Sequence, residues 1–167
     1  HLGPDVLGPG WDAPAVAARI AAFDGFVGDA LLDQRVLAGV GTFWASEVLF
    51  VERVLPWTAT TDLPRGTLVR VAERTHLLMR EAARTGWQAS TGIRRAGEES
   101  YVHARSGRPC RRCGDTVRVA MTGSPPRERT LFSCPRCQGG LAPGDDGRPV
   151  RPLGSSGRGG GAYRPQR

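Results

Sequence analysis

The sequence predicts a mostly α-helical fold with a small β element, and three observations carry that prediction. The first half holds four stretches with apolar residues at helical spacing and recognisable start and stop signals. The second half holds two cysteine pairs, Cys110-Arg-Arg-Cys113 and Cys134-Pro-Arg-Cys137, with short β-like pieces between them. The last 29 residues contain nine Gly and four Pro and little that could be buried. The expected organisation is a four-helix domain over 1–86, a polar Gly-containing linker over 87–100, a cysteine-held β-hairpin over 101–138 and a disordered basic tail over 139–167.

Each element has its own signals. Residues 12–23 read as a short helix capped by Asp12, with Pro14 in its first turn and Val16, Ile20 and Phe23 at helical spacing. Gly25 and Gly28 then break the chain. Asp29 is expected to cap a second helix reaching Leu37, with Leu31, Leu32, Val36 and Leu37 as its apolar side. Gly39-Val40-Gly41 forms a tight connection, and Thr42 is the expected N-cap of a third helix running from Phe43 to Phe50 and stopping before Pro56. Pro64 opens the fourth and longest helix. It carries Leu68, Val71, Thr75, Leu78, Met79 and Ala82 on one face and ends at Gly86. Thr116 to Met121 and Arg129 to Ser133 read as strands.

Composition narrows the function. The 167 residues include 23 cationic side chains, all of them Arg, against 16 acids, a formal net charge of +7. Without Lys, Schiff-base chemistry has only the α-amine of His1 to draw on, because a guanidinium stays protonated. No run approaches the roughly 18 apolar residues of a membrane span, and no signal peptide opens the chain. A cytoplasmic monomer with no membrane partner is expected. The charge is unevenly spread: residues 1–100 hold 10 Arg against 12 acids, whereas residues 101–167 hold 13 Arg against four. A net of −2 followed by a net of +9 points to a polyanionic partner, nucleic acid first among them.

The cysteine pairs are 20 residues apart. Two CxxC knuckles at that distance can present four thiolates tetrahedrally to one Zn²⁺, a closed site whose role would be structural. Two disulfides and a redox CxxC are the rival readings; the paired CxxC form favours zinc. Metal removal is expected to unfold the finger and leave the helices intact. Arg105, Arg108, Arg111, Arg112, Arg118, Arg127, Arg129 and Arg136 surround the cluster. Some would neutralise the sulfurs, and the surplus would face phosphates. His76 reads as packing or surface, and His103 as part of the hairpin rather than a metal ligand.

The stretch Leu31-Leu-Asp-Gln-Arg-Val-Leu-Ala-Gly-Val-Gly-Thr-Phe-Trp-Ala-Ser-Glu-Val-Leu-Phe50 resembles the helix-two-turn-helix signature of the formamidopyrimidine-DNA glycosylase / endonuclease VIII family. Val102-His-Ala-Arg105, Ser106-Gly-Arg-Pro-Cys110, Cys113-Gly and Arg129-Thr-Leu-Phe-Ser-Cys134-Pro-Arg-Cys137-Gln138 resemble that family's C-terminal zinc finger. The resemblance implies DNA-contacting roles for Arg35, for the backbone of Gly39 and Gly41, and for Arg129 at the hairpin tip. Cys110, Cys113, Cys134 and Cys137 would hold the zinc. The family's usual Asn after the Gly-Val-Gly turn is Thr42 here, a smaller hydrogen-bonding group at a phosphate contact.

The same resemblance implies a bifunctional DNA glycosylase and abasic-site lyase of base-excision repair, removing oxidised bases from double-stranded damaged DNA. In that family a β-rich N-terminal domain begins Pro-Glu, and its Pro amine attacks the sugar. This sequence begins His1-Leu2-Gly3-Pro4, so it reads as the DNA-binding half, without the catalytic residue and inactive by itself. A catalytically inactive, zinc-dependent damaged-DNA-binding protein is the alternative, followed by a zinc-ribbon module for protein partners.

Overall fold

The computed structural model describes residues 1–152. The chain runs through α1 (Ala13–Ala21), α2 (Val27–Leu32), α3 (Thr42–Val51), a 3₁₀ turn (Thr60–Asp62), α4 (Arg65–Thr85), β1 (Arg118–Thr122), β2 (Arg129–Ser133) and a short α5 (Pro135–Gln138). The mixed helical architecture with one small hairpin follows the predicted class. The described residues hold five α-helices where four were expected, the fifth being the single turn inside the second cysteine knuckle.

α1 starts as its sequence dictates. Asp12 is extended and its Oδ1 accepts the Ala15 N–H at 3.0 Å, with Pro14 in the first turn. Val16, Ala17 and Ile20 are buried, and Phe23 lies beyond the helix end. α4 is the longest element; Pro64 is its N-cap, and Gly86 closes it in the left-handed region at φ 69°. Leu68, Val71, Ala72, Thr75 and Met79 form its buried stripe, flanked by partly buried Leu78 and Ala82.

The second helix differs from expectation. It begins at Val27, with Phe26 as N-cap, and ends at Leu32 rather than Leu37. Asp29 therefore lies inside the first turn, where its carboxylate accepts the Thr122 hydroxyl at 2.5 Å. Gly28 does not break this helix; it permits it. A Cβ there would meet Leu131 Cδ1 at 2.6 Å and the Pro56 carbonyl at 3.0 Å, so only Gly lets α2 lie against β2. Asp33, the C-cap, turns the chain out of the helix toward the glycine turn.

α3 is the central element, with every residue from Trp44 to Phe50 buried. Trp44, Ala45, Val48 and Leu49 join the helical core with Ile20, Leu31, Leu37, Leu68 and Val71. Phe50 instead belongs to a second cluster with Val102, Val117, Phe132, Cys110 and Cys134. In return Leu131 of β2, fully buried, enters the helical core. The hairpin pairs antiparallel from Arg118 opposite Ser133 to Thr122 opposite Arg129, and the Ser46 hydroxyl accepts the Phe132 N–H at 3.1 Å. Helices and finger thus interlock across α3.

The Glu47 carboxylate is the polar rivet of that interlock. It has no solvent exposure, and it accepts from the Ser90 hydroxyl and from three backbone N–H groups, Tyr101 at 2.7 Å, Val102 at 2.9 Å and His103 at 2.8 Å. The stretch expected to be a polar linker is therefore docked at both ends, with Ser90 and Ser100 buried. A sequence stretch without apolar periodicity can still be ordered by one buried acceptor.

Residues 139–152, expected to belong to the tail, make defined contacts. Ala142 packs in the helical core, and the Asp145 carboxylate forms a two-bond pair with Arg118, at 2.5 and 2.6 Å, on the hairpin. Arg118 also donates to the Arg148 carbonyl at 2.8 Å. Residues 139–152 run back along the finger on these contacts; the remainder of the expected tail, 153–167, lies outside the described residues. No helix among the described residues is long and apolar enough to cross a membrane.

Candidate nucleic-acid interface and metal centre

Two knuckles bring the four cysteines together. Cys113 Sγ lies 3.4 Å from Cys134 Sγ and Cys110 Sγ 3.8 Å from Cys137 Sγ, with all four sulfurs within 4.8 Å of one another and none bridged. A tetrahedral thiolate site with bonds of about 2.3 Å needs sulfurs about 3.8 Å apart. Backbone N–H groups of Arg112, Asp115 and Cys137 point at Cys110, Cys113 and Cys134 Sγ at 3.4, 3.4 and 3.5 Å, which offsets sulfur charge. Burial pushes the Cys134 thiol well above its ordinary range. These four side chains could hold a metal ion.

The arginines around the cluster divide into two groups. Arg105 donates to the Tyr101 and Pro109 carbonyls, and Arg111 to those of Ser100 and Gly97. Arg112 donates to the Phe50 carbonyl and lies 4.2 Å over the Phe50 ring, while Arg118 pairs with Asp145. These four hold loops, so half of the expected phosphate-facing surplus is structural. Arg108, Arg127, Arg129 and Arg136 are exposed and, among the described residues, their guanidiniums carry no hydrogen bond or ion pair.

Arg127 and Arg129 line a groove of about 720 Å³ between the hairpin tip and the end of α2. Its other walls are Phe23, Asp24, Gly25, Asp29, Asp33, Gln34, Arg35 and the tip residues Thr122 to Ser124. The Thr122–Asp29 hydrogen bond ties the hairpin tip to α2 across this groove. Arg35 is 77% exposed and forked onto Asp33, Nε to Oδ1 at 3.0 Å and a terminal nitrogen to Oδ2 at 2.7 Å. Those hydrogen bonds hold the Asp33 carboxyl below the usual carboxylate range, with burial opposing and the charge of Arg127 adding to the effect.

The glycine turn sits beside the groove rather than in its wall. Gly39 is at φ 101°, a conformation only Gly adopts without strain, and its N–H is bonded to Gln34 Oε1 at 2.8 Å. Gln34 Nε2 donates onward to the Val40 carbonyl at 3.0 Å, so this side chain staples the turn. The Gly39 amide is therefore occupied. Gly41, not Thr42, is the N-cap of α3, and no side chain caps that end; Thr42 is the first helical residue and half-buried. The first amides of α3 remain open to an anion, and a Cβ at Gly41 would meet open space.

His103 packs edge-on between Phe43 and Phe132, at 5.0 and 5.2 Å, away from the sulfurs, as a non-ligand should. Burial pushes its imidazole below the ordinary range, partly offset by Glu47. His76 stacks on Trp11 at 4.8 Å and its Nδ1 meets the Val6 carbonyl at 2.7 Å. Four residues of consequence were not singled out by sequence reasoning. Asp33, Gln34 and Glu47 act through backbone contacts that no spacing reveals. Arg127 was one arginine among eight.

Residues 2–93 match the family model of the formamidopyrimidine-DNA glycosylase H2TH domain. The chain belongs to that family. Among curated relatives, the probable endonuclease 8 2 of Streptomyces coelicolor is 42% identical over 154 residues, 91% of this chain and 55% of its own length. The DNA-(apurinic or apyrimidinic site) lyase Nei2 of Mycolicibacterium smegmatis is 41% identical over 143 residues, 83% of this chain and 53% of its own. The chain thus spans about half the length of the curated relatives it matches. Among solved structures, the MutM (Fpg) protein of Thermus thermophilus superposes with a TM-score of 0.69 at 27% identity, covering 84% of this chain and 55% of that one. The Lactococcus lactis Fpg in complex with abasic-site DNA shares the fold, with a TM-score of 0.67 at 20% identity, over 83% and 52% of the two chains. The H2TH match takes in α1 to α4, the glycine turn and the groove residues of α2; the hairpin and its cysteines follow it.

Proposed function

We propose that this chain is the DNA-binding half of a base-excision repair glycosylase and abasic-site lyase, and that it clamps damaged duplex DNA by its backbone. The observation that carries the reading is the groove in which Arg35 from the H2TH side faces Arg127 and Arg129 from the hairpin tip. Guanidiniums at such a junction suit phosphate oxygens, which they bind as paired donors. The uncapped N-terminus of α3, with Gly41 and Thr42, offers amides to a neighbouring phosphate. Contacts of this kind position the duplex and favour a bent backbone without reading base sequence.

In this reading Cys110, Cys113, Cys134 and Cys137 hold one Zn²⁺, which shapes the finger and takes no part in chemistry. Residues 1–86 act as the H2TH domain, 87–100 as the connection and 101–138 as the finger. In the same reading, removal of oxidised bases and strand cleavage belong to the whole protein, a cytoplasmic monomer; two relatives are named endonuclease 8 and DNA-(apurinic or apyrimidinic site) lyase. This chain's part is to hold and bend the DNA.

The test is a pair of variants of the metal-loaded chain, Arg129→Ala and Arg136→Ala, titrated against a duplex of about 15 base pairs. Arg129→Ala should weaken binding by about 1–3 kcal/mol, the scale of a charge-assisted contact. Arg136, exposed but outside the groove, should change affinity little. Equal losses from both would mean that net charge rather than the groove binds DNA.

A further inference from the structure

Deepening that reading and resting on it, we infer that Arg127 is a second phosphate-binding residue of the hairpin tip and contributes more to backbone contact than Arg35 does. The groove is nearly charge-balanced: Asp24, Asp29 and Asp33 line it together with Arg35, Arg127 and Arg129. Arg35 is already committed to Asp33 by two hydrogen bonds, so an incoming phosphate would share or displace a formed ion pair. Arg127 and Arg129 have no such partner among the described residues, and both are exposed. An unpaired guanidinium gives a phosphate its full charge and its open edge, whereas a paired one gives only part of each.

Position supports the same assignment. Arg127 N–H donates to the Ser124 carbonyl at 2.8 Å, so its backbone is held in the tip turn. Thr122, at the base of that turn, is bonded to Asp29 of α2, and this fixes the tip over the groove. Glu128, between the two arginines, is not part of the groove lining. The charge of Arg127 is felt at Asp33, which places it within electrostatic reach of the Asp33–Arg35 pair across the groove. Two open cations two residues apart on one tip can therefore engage one strand together, with Arg35 as a weaker contact on the opposite wall.

The experiment is a salt series of equilibrium binding by the metal-loaded chain to one duplex, comparing the unchanged protein with Arg127→Ala, Arg127→Lys, Arg129→Ala and Arg35→Ala. Loss of one phosphate contact lowers the slope of log affinity against log salt by about 0.9. Arg127→Ala should lose that increment and about three- to tenfold in affinity at about 0.1 M salt, Arg127→Lys should keep the slope, and Arg35→Ala should lose less of both. An Arg127→Ala protein with unchanged slope and affinity beside a weakened Arg129→Ala would overturn the assignment while leaving the DNA-binding reading standing. An Arg35→Ala loss larger than that of Arg127→Ala would overturn the ranking. No salt-dependent binding by the unchanged protein would remove the underlying reading itself.

Discussion

Replacement of Glu47 by Ala should be the most destructive single change that leaves the metal ligands and the groove untouched. The carboxylate is wholly buried and accepts four hydrogen bonds, three of them from consecutive backbone N–H groups at Tyr101, Val102 and His103. Its removal leaves those donors and the Ser90 hydroxyl without an acceptor. A buried orphan donor costs about 1–3 kcal/mol, but Tyr101 and His103 are only half-buried and water can reach them in part. The buried charge itself also disappears, which is favourable. With two of the four orphaned donors buried, the net loss expected is about 2–5 kcal/mol. That is a large part of the roughly 5–15 kcal/mol of a whole domain. Glu47→Gln keeps the volume but turns an NH₂ toward backbone donors, and should cost about 2–3 kcal/mol. Urea unfolding of the metal-loaded chain, followed by far-UV circular dichroism, measures both, and hydrogen exchange at residues 101–103 localises the effect. A Glu47→Ala midpoint equivalent to less than about 0.5 kcal/mol, the scale of a neutral surface change, would refute the reasoning.

Three further outcomes follow from the packing. Gly28→Ala gains about 1 kcal/mol of helix propensity, but its methyl would press on Leu131 and the Pro56 carbonyl, so a net loss of about 1–2 kcal/mol is expected by thermal unfolding. Chelation of the metal should lower the unfolding midpoint of the helices as well as melt the finger, because a loosened hairpin withdraws Leu131 from the helical core and exposes Phe50 of α3. That replaces the expectation of two independent units; an unchanged helical midpoint after chelation would restore it. His103 has a depressed folded pKa, so its contribution to stability is complete above the unfolded value of about 6.5 and is lost as pH falls through the folded value. His103→Gln should flatten the stability profile below pH of about 6.5, and a profile parallel to that of the unchanged chain would exclude the histidine as a cause.

Elements with their own local signals were legible in the sequence: α1 from Asp12 and Pro14, α4 from its apolar stripe between Pro64 and Gly86, and the cluster of four cysteines from two CxxC pairs. The misreadings share one cause. Asp29 reads as a helix cap because Asp suits both the N-cap and the first turn; the structure has it in the first turn, bonded to Thr122, with the close approach at Gly28 before it. Residues 87–100 read as a polar link and 139–152 as tail because what holds them is distant in sequence, Glu47 and Arg111 for one, Arg118 and the helical core for the other. The same holds for the arginines. Eight similar residues in sequence separate into loop-holders and open cations only when their partners are seen.

The proposed role of the groove between α2 and the hairpin tip, to hold the backbone of damaged DNA, is tested by equilibrium binding of the metal-loaded chain to two matched duplexes, one intact and one carrying a stable abasic analogue, across a salt series. Binding to both should be salt-sensitive, and tighter to the abasic duplex, whose backbone bends into the groove at lower cost. Affinity that ignores salt and does not distinguish the two duplexes would contradict that role.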